Sequence, residues 1–400
     1  MSATLQSTSL LAVKISQEKF NQALSLVSKA IAKHSIQPIL SNVLLKADAT
    51  KKTLTLAATD LDLALAVEIP AEVTEAGQVT VPAQKLSELV SKLPHLDLSL
   101  TSSESALITV SCGRSKSEIK GLSAEQFPQD FLEKANSSSE AAFTLPIKHL
   151  QEAAGLVSFA SDKREANSIL NGICLELSSD KGFEVAATDG SRLAYYHLEE
   201  IKFEGNGSAK KVIIPFRTIT ELSRMLSGLD EENIECNLSE SNQIIFKVAG
   251  RILCSSLIEG SYPKYQQLIP SHHNQIAIVE RQAFLAALER VSVMANEKTR
   301  VIKLLFEEIG VLNVSANAPD IGEAQDQIDV SEYNGQDFSI AFNVNYMSEC
   351  LRNLNCAKVQ LQMSEPLKPI IVTPLDEKAE ESEAKTGFNY LYLLMPVQMR

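Results

Sequence analysis

The chain lacks the features that would mark a membrane protein, a disulfide scaffold or a common enzyme. No apolar run approaches the ~18 residues of a membrane-spanning helix. Met1 to Leu11 is Ser/Thr-rich, with no basic stretch ahead of a long apolar one, so it does not read as a secretory signal. A cytoplasmic location is therefore expected. The six cysteines (Cys112, Cys174, Cys236, Cys254, Cys350 and Cys356) are scattered, with no CxxC pair and no histidine at metal-ligand spacing, which points to buried thiols. No GxxxxGK[ST] phosphate loop, GxGxxG after a strand, GxSxG elbow or HExxH helix occurs. The histidines are dispersed, and the His272–His273 pair sits in a polar linker without carboxylates or thiolates at ligand spacing. No catalytic residue, metal or cofactor is expected.

Positive charge is also in deficit. Lys and Arg number 37 against 50 Asp and Glu, giving −13, which as an average argues against a nucleic-acid partner. An average does not say where the positive charges sit. What remains is an ordinary globular composition, 44% hydrophobic and 22% charged, over 400 residues, enough for two to four domains at roughly 100–200 residues each.

The organising feature is an internal repeat. A strand running into an amphipathic helix recurs in LAVKISQEKFNQALSLVSKAI (11–31), FTLPIKHLQEAAGLVSFA (143–160) and IAIVERQAFLAALERVSVMA (276–295). Their apolar stripes are Phe20, Leu24, Val27, then Leu150, Ala154, Val157, then Phe284, Leu288, Val291, all at i, i+4, i+7. A second strand-to-helix marker follows at 78–93, 211–226 and 339–354, with Pro82 and Pro215 expected in the first helical turn. Between the two lie alternating strands that contain Asp60, Asp189 and Asn317, spaced 129 and 128 residues apart. The Asp residues are expected to shape turns, because the third position is an amide that cannot act as acid or base.

Three units follow, 10–138, 139–272 and 273–400, joined by polar linkers at 133–140 and 270–275. The acidic stretch 376–387 reads as a solvated loop. Two helices and several strands per unit indicate an α+β fold, helices on one face of antiparallel sheet.

Several short segments carry a family resemblance: ATDGSRLA (187–194), NG (171–172), YPKYQQLIP (262–270), NEKTR (296–300) and LLMPVQMR (393–400). With three units of this size, the chain resembles the bacterial DNA polymerase III beta subunits, the beta sliding clamps, from about Leu11 to Arg400. The resemblance implies a non-catalytic processivity factor, a head-to-tail homodimer whose six units close a ring around duplex DNA. It also implies helices lining the hole, and partners that include the polymerase III alpha subunit, the clamp loader, other polymerases and repair proteins. The competing readings are an enzyme built on an internal repeat, which the missing motifs disfavour, and a repeat scaffold that binds short peptides without nucleic acid.

Charge can be read by position on that arrangement. Segments 17–34, 82–93, 146–160, 215–227, 280–300 and 343–355 together carry +5, leaving −18 on the rest. The resulting DNA-binding candidates are Lys19, Lys29, Lys33, His34, Lys85, Arg217, Arg224, Lys298 and Arg300. None sits in a motif that reads base edges, so binding should be sequence-independent and salt-sensitive.

The resemblance further implies a peptide-binding pocket of Leu170, Thr188, Gly190, Ser191, Arg192, Leu193, Pro263, Gln267, Leu268, Leu393, Met395, Pro396, Val397 and Gln398. Many family members carry Arg where this chain has Gln267, so its preference for acidic peptide groups should be weaker. For the dimer interface it implies Arg114, Lys116 and Ile119 opposite Val293, Met294 and the acidic segment 320–326, with Glu323 and Asp326.

Overall fold

The computed structural model describes residues 10–32, 36–135, 142–165, 168–178, 180–199, 201, 210–239, 241–375 and 389–398. Lys33, His34, most of the first linker and the acidic stretch 376–387 lie outside the described residues.

The three units share an element order, to which the first adds a strand at Glu72–Glu75 and a short helix at Asp130–Lys134. The first comprises β1 (Ala12–Ser16), α1 (Gln17–Val27), β2 (Asn42–Asp48), β3 (Thr53–Thr59), β4 (Leu63–Pro70), β5 (Glu72–Glu75), β6 (Gln78–Pro82), α2 (Ala83–Val90), β7 (Asp97–Ser102), β8 (Leu107–Cys112), β9 (Ser115–Lys120) and a short α3 (Asp130–Lys134). The second comprises β10 (Ala142–Pro146), α4 (Ile147–Val157), β11 (Gly172–Ser178), β12 (Gly182–Thr188), β13 (Arg192–Leu198), β14 (Lys210–Pro215), α5 (Phe216–Leu226), β15 (Asn233–Ser239), β16 (Gln243–Val248) and β17 (Arg251–Ser256). The third comprises β18 (Gln275–Glu280), α6 (Arg281–Ser292), β19 (Val301–Glu307), β20 (Val311–Ala318), β21 (Gly322–Asn334), β22 (Phe338–Asn343), α7 (Val344–Asn353), β23 (Lys358–Met363), β24 (Ile370–Leu375) and β25 (Asn389–Leu394).

The repeat is therefore a three-domain α+β architecture with two principal helices per unit. The predicted stripes are the buried faces: Phe20, Leu24, Val27, Val157, Phe284 and Leu288 are fully buried, and Leu150 nearly so. Each large side chain buried this way contributes about 1.5–3 kcal/mol.

Helix ends differ from expectation. Helix α1 stops at Val27, followed by a 3-10 turn over Ser28–Ala30, and the Ser28 hydroxyl donates to the Leu24 carbonyl at its end. Helix α6 stops at Ser292, and the Asn296 side chain then accepts the Lys298 and Thr299 N–H groups, turning the chain before β19. The helices as folded carry only +2; the remainder of the +5 belongs to residues of those segments outside the helices. Pro82 and Pro215 are not in the first helical turn. Each is the last residue of a strand, paired with Asn42 and Gly172 respectively, and directly precedes the helix. Asn343 takes the same place in the third repeat and adds a true side-chain cap, accepting from Asn345 N–H at 3.0 Å. The first linker begins as α3, because Phe131 gives that segment an apolar anchor.

Tertiary pairing divides each repeat into two four-stranded halves. By chain contacts, Met1–Lys148 with Thr220–Leu257 forms one compact body, and His149–Ile219 with Ile258–Arg400 forms another. In the first body an eight-stranded sheet runs β10-β15-β16-β17-β4-β3-β2-β6, beside a five-stranded sheet β5-β1-β7-β8-β9. In the second, twelve strands run β14-β11-β12-β13-β25-β24-β23-β18-β21-β20-β19-β22. Half of the second repeat thus pairs with the first repeat through β17 and β4, and a half of the third pairs with the second through β25 and β13.

Strands at these junctions are covered on both faces, so they read as continuous apolar runs. In β4, alternation puts Ala64 and Ala66 against the segment carrying Ala124, Phe127 and Phe131, and turns Leu65 and Val67 to the opposite face. In the second body Leu193, Ala186 and Leu393 lie under Tyr262 and Tyr265 in the same way. No helix of the described residues is long and apolar enough to cross a membrane.

Candidate functional sites: a peptide cleft, cationic helices and two open strand edges

The predicted pocket residues converge at the β13–β25 junction of the second body. Leu193 pairs with Leu393 across the two strands, and both side chains are buried in a cluster with Cys174, Ala186, Ile213, Tyr262 and Tyr265. The Tyr262 hydroxyl donates to the Gly172 carbonyl at 3.3 Å and accepts from the Thr188 N–H at 3.1 Å, fixing the segment that carries Pro263, Gln267 and Leu268 over the sheet. Leu170 lies in a 3-10 turn directly before β11. The C-terminal tail is held by its backbone, Met395 N–H donating to Ser191 O at 2.9 Å and Val397 N–H to Ala341 O at 2.7 Å.

Exposure sorts the set. Leu268, Met395 and Val397 are 54%, 40% and 38% exposed, and Pro263, Gln267, Gly190, Ser191 and Gln398 are also open to solvent. Pro396 and Leu170 are half-buried. Thr188, Leu193 and Leu393 form the floor. Exposed apolar side chains over a rigid apolar floor suit an aliphatic or aromatic peptide anchor.

Arg192 is not on that open surface. Its guanidinium is buried, pairs with Asp189 at 3.0 Å and Glu349 at 2.5 Å, donates to the Phe159 carbonyl at 2.8 Å and lies 4.4 Å from the Tyr346 ring centre. Burial works against its charge, but Tyr392, Glu349 and Asp189 outweigh it and hold its pKa above the ordinary arginine value. The residue ties the second repeat to the third inside the second body. Asp189 Oδ1 also accepts the Ser191 and Arg192 N–H groups, and Asp60 does the same for Asp62 and Leu63, so both ATD aspartates are turn formers. Asn317 instead lies within β20, paired with Glu323.

The cationic candidates separate into helix and turn positions. Lys19 on α1, Lys85 on α2, and Arg217 and Arg224 on α5 are exposed helical residues. Lys29 is on the 3-10 turn after α1, and Lys298 and Arg300 are in the turn after α6, not on helices. Lys85 pairs with Glu88 at 3.3 Å and Arg224 with Glu221 at 2.5 Å. The Lys85–Glu88 pair is exposed on both sides and worth about 0–1 kcal/mol, whereas Glu221 is buried and holds the exposed Arg224 from below.

At the proposed dimer surfaces, Arg114 is exposed and Lys116 pairs locally with Glu118 at 3.5 Å, while Ile119 is half-buried on β9. Val293 at the end of α6 is 70% exposed. Met294 Sδ lies 3.9 Å from where a Cβ would stand on Gly322, so it packs against the start of β21. Glu323 is exposed, but Asp326 is already engaged by Arg290 at 2.5 Å, a pair the sequence pattern did not reveal. Strand β9 pairs only with β8 among the described strands, and Gly322–Asp329 of β21 only with β20.

Family models for the DNA polymerase III beta subunit match the chain in three consecutive pieces: the N-terminal domain over residues 11–131, the central domain over 144–264 and the C-terminal domain over 266–387. The chain belongs to the beta sliding clamp family. It is 34% identical to the beta sliding clamp of Synechococcus elongatus, over 96% of this chain and 98% of that protein, and 32% identical to that of Synechocystis sp. over the same shares. A solved structure of the Pseudomonas aeruginosa sliding clamp bound to griselimycin superposes with a TM-score of 0.86 at 27% identity, covering 97% of this chain and all of that one. The family is that of a non-catalytic processivity factor of DNA replication, which the missing catalytic motifs anticipated. Family and fold support DNA encirclement and polymerase tethering as the general role of this sliding clamp. Among the described residues no group of three or more His, Cys, Asp or Glu is placed to hold a metal ion.

Proposed function

We propose that two copies of the clamp close head to tail through β9 of one and β21 of the other, the six units enclosing duplex DNA with the principal helices facing it. The observation that carries this reading is the strand pairing used twice within the chain. The outermost strand of one half-repeat, β17 or β25, pairs with the outermost strand of the preceding half-repeat, β4 or β13. By the same pattern β9 of the first repeat and the Gly322–Asp329 part of β21 in the third are the two halves of a third junction, each without a second partner among the described strands. A heterologous contact of that kind closes into a ring when the rotation permits, and closing it removes the exposed edges. The units keep the boundaries 10–138, 139–272 and 273–400. Arg114, Lys116 and Ile119 meet Val293, Met294 and Glu323 across the contact, with Asp326 acting through its Arg290 pair.

On this reading Lys19, Lys29, Lys85, Arg217, Arg224, Lys298 and Arg300 attract the phosphate backbone without reading sequence. The cleft at the β13–β25 junction takes short apolar peptide segments from the polymerase alpha subunit, the clamp loader and other clamp-binding proteins. Arg192 contributes to it by holding Asp189 and the turn through Ser191 in place.

Solution mass and DNA retention test the ring. The purified protein should weigh twice 43.7 kDa, and once loaded should stay on nicked circular DNA and leave when the circle is cut. A monomer at micromolar concentration, or equal loss from circles and linear DNA, overturns the reading. Removing Met395 to Arg400 should abolish peptide binding while the mass stays dimeric; unchanged peptide affinity removes the tail from the cleft.

A further inference from the structure

The first body contains a cationic notch that the helix pattern did not single out. Its volume is about 310 Å³, between α1 and the C-terminal end of α5. At ~30 Å³ per water in the liquid, that accommodates a phosphodiester group with several water molecules. The walls carry Lys19 and Gln22 from α1, Arg224 and Ser227 from the end of α5, and Arg251 from the first position of β17. Among the described residues no carboxylate lines it. The floor is apolar, made by Leu26 of α1 with Val67 and Ile69 of β4.

Arg251 is what distinguishes this notch from an ordinary helix surface. Its backbone is fixed by the junction, paired with Val67 across β4 and β17. One guanidinium N–H donates to the Met225 carbonyl in the last turn of α5, where the helix presents unpaired carbonyls and partial negative charge. The head is therefore pinned, and the remaining N–H groups of a planar fork are available for another acceptor. Burial lowers its pKa, partly opposed by Glu231, yet a guanidinium stays charged through such a shift. A half-desolvated cation gains more from an arriving anion than an exposed one. Lys19 forms no ion pair among the described residues, and the Arg224 partner Glu221 is itself buried, outside the lining.

We infer that this notch is a preorganised seat for a backbone phosphate of the duplex, with Arg251 as its fixed donor, Lys19 as a mobile one and Arg224 held beside them by Glu221. The inference rests on the reading that the helices face DNA. An arginine held by strand and helix end loses little side-chain entropy on binding, whereas Lys19 on an open helix face must be ordered by the phosphate itself. The contact is to phosphate alone, so it strengthens binding without halting movement along the duplex.

The test is the salt dependence of binding of the full-length protein to a short fluorescent duplex, by anisotropy. Each phosphate contact contributes about 0.9 to the slope of log affinity against log salt. Arg251→Gln should lower the slope by about that amount, and Arg251→Lys, which keeps the charge, should retain most of it. Gln22→Glu, on the exposed face of α1, places a carboxylate in the notch without touching the Met225 bond, and should also lower affinity and slope. Lys29→Gln reports on the helix-facing reading separately, and Lys368→Gln, in an exposed loop after β23, is the control. If Lys29→Gln lowers the slope while Arg251→Gln and Gln22→Glu leave it unchanged, the notch is overturned and the DNA-facing helices stand. If none of the three changes it, both fail. Should Arg251→Gln prove unfolded, Gln22→Glu decides alone: an unchanged slope overturns the notch.

Discussion

Replacing Arg192 with Met should weaken the second body by about 3 kcal/mol. The side chain is 7% exposed and satisfies three acceptors at once: Asp189 (10% exposed), Glu349 (41% exposed) and the carbonyl of Phe159. Methionine fills much of the volume but donates nothing. Leaving the Phe159 carbonyl unpaired costs about 1–3 kcal/mol. Losing the cation over the Tyr346 and Phe159 rings, at 4.4 and 5.6 Å, costs about 1 kcal/mol. Asp189 keeps its two backbone N–H partners, and Glu349 turns to solvent, so the charge terms fall below the ~3–5 kcal/mol of a fully buried pair broken on one side. A convenient reporter exists: the chain has no tryptophan, and all eight tyrosines lie in the second body. Tyrosine fluorescence during urea unfolding therefore follows that body alone. With a slope of about 2–3 kcal/mol/M, the midpoint should fall by roughly 1 M. Arg192→Lys should fall between the two, since it keeps charge but not the fork. A loss under about 1 kcal/mol would refute the assignment of Arg192 as the tie between the repeats.

Two glycines separate backbone strain from packing. Gly190 has φ +87° with open space where a Cβ would stand, so Gly190→Ala should cost only about 1 kcal/mol; Gly182 has φ +78° and would bring a Cβ within 2.4 Å of the Leu198 carbonyl oxygen, so Gly182→Ala should cost several times more, read by the same fluorescence. Equal losses would show that the β12 turn has room to relax. Five of the six thiols are buried and Cys356 is half-exposed, so iodoacetamide at neutral pH should label Cys356 well before the others. Burial pushes the Cys254 thiol up to about 11 and the Cys174 thiol up to about 12, from 9.0, so between pH 9 and 11 the unfolded chain releases protons that the native chain retains. Stability should fall with rising pH across that window, and a flat profile by urea unfolding would count against the burial of both.

Much of the fold was legible because helix burial is a local, periodic property. The i, i+4, i+7 stripes at Phe20, Leu150 and Phe284 follow from 3.6 residues per turn and needed no knowledge of what covered them. Helix ends were not legible, since the Ser28 hydroxyl bond at the end of α1 and the Asn296 turn that follows α6 are side-chain contacts that leave no hydrophobic signal. The charge map depends on those ends: the segments carry +5 and the helices within them +2, because Lys298 and Arg300 stand beside a helix and not on it. Motif resemblance supplied the candidate pocket residues but not their exposure: Arg192 and Met395 were alike as candidates, and one is buried while the other is open. Arg251 gave no signal, being one cation at the start of a strand. Only the Met225 carbonyl, 26 positions earlier in the chain, makes it a fixed donor.

The sequence by itself determined the threefold repeat, the helices and strands of each unit, the absence of common catalytic machinery and the family. These depend on short-range order and residue type, both written along the chain. The tertiary structure alone decided how each repeat is cut in two, which halves pair through β17 with β4 and β25 with β13, and that β9 and the Gly322–Asp329 part of β21 are left without a second partner among the described strands. Strand pairing is a choice among distant segments of similar pattern, and register and neighbour are settled by packing on both sheet faces.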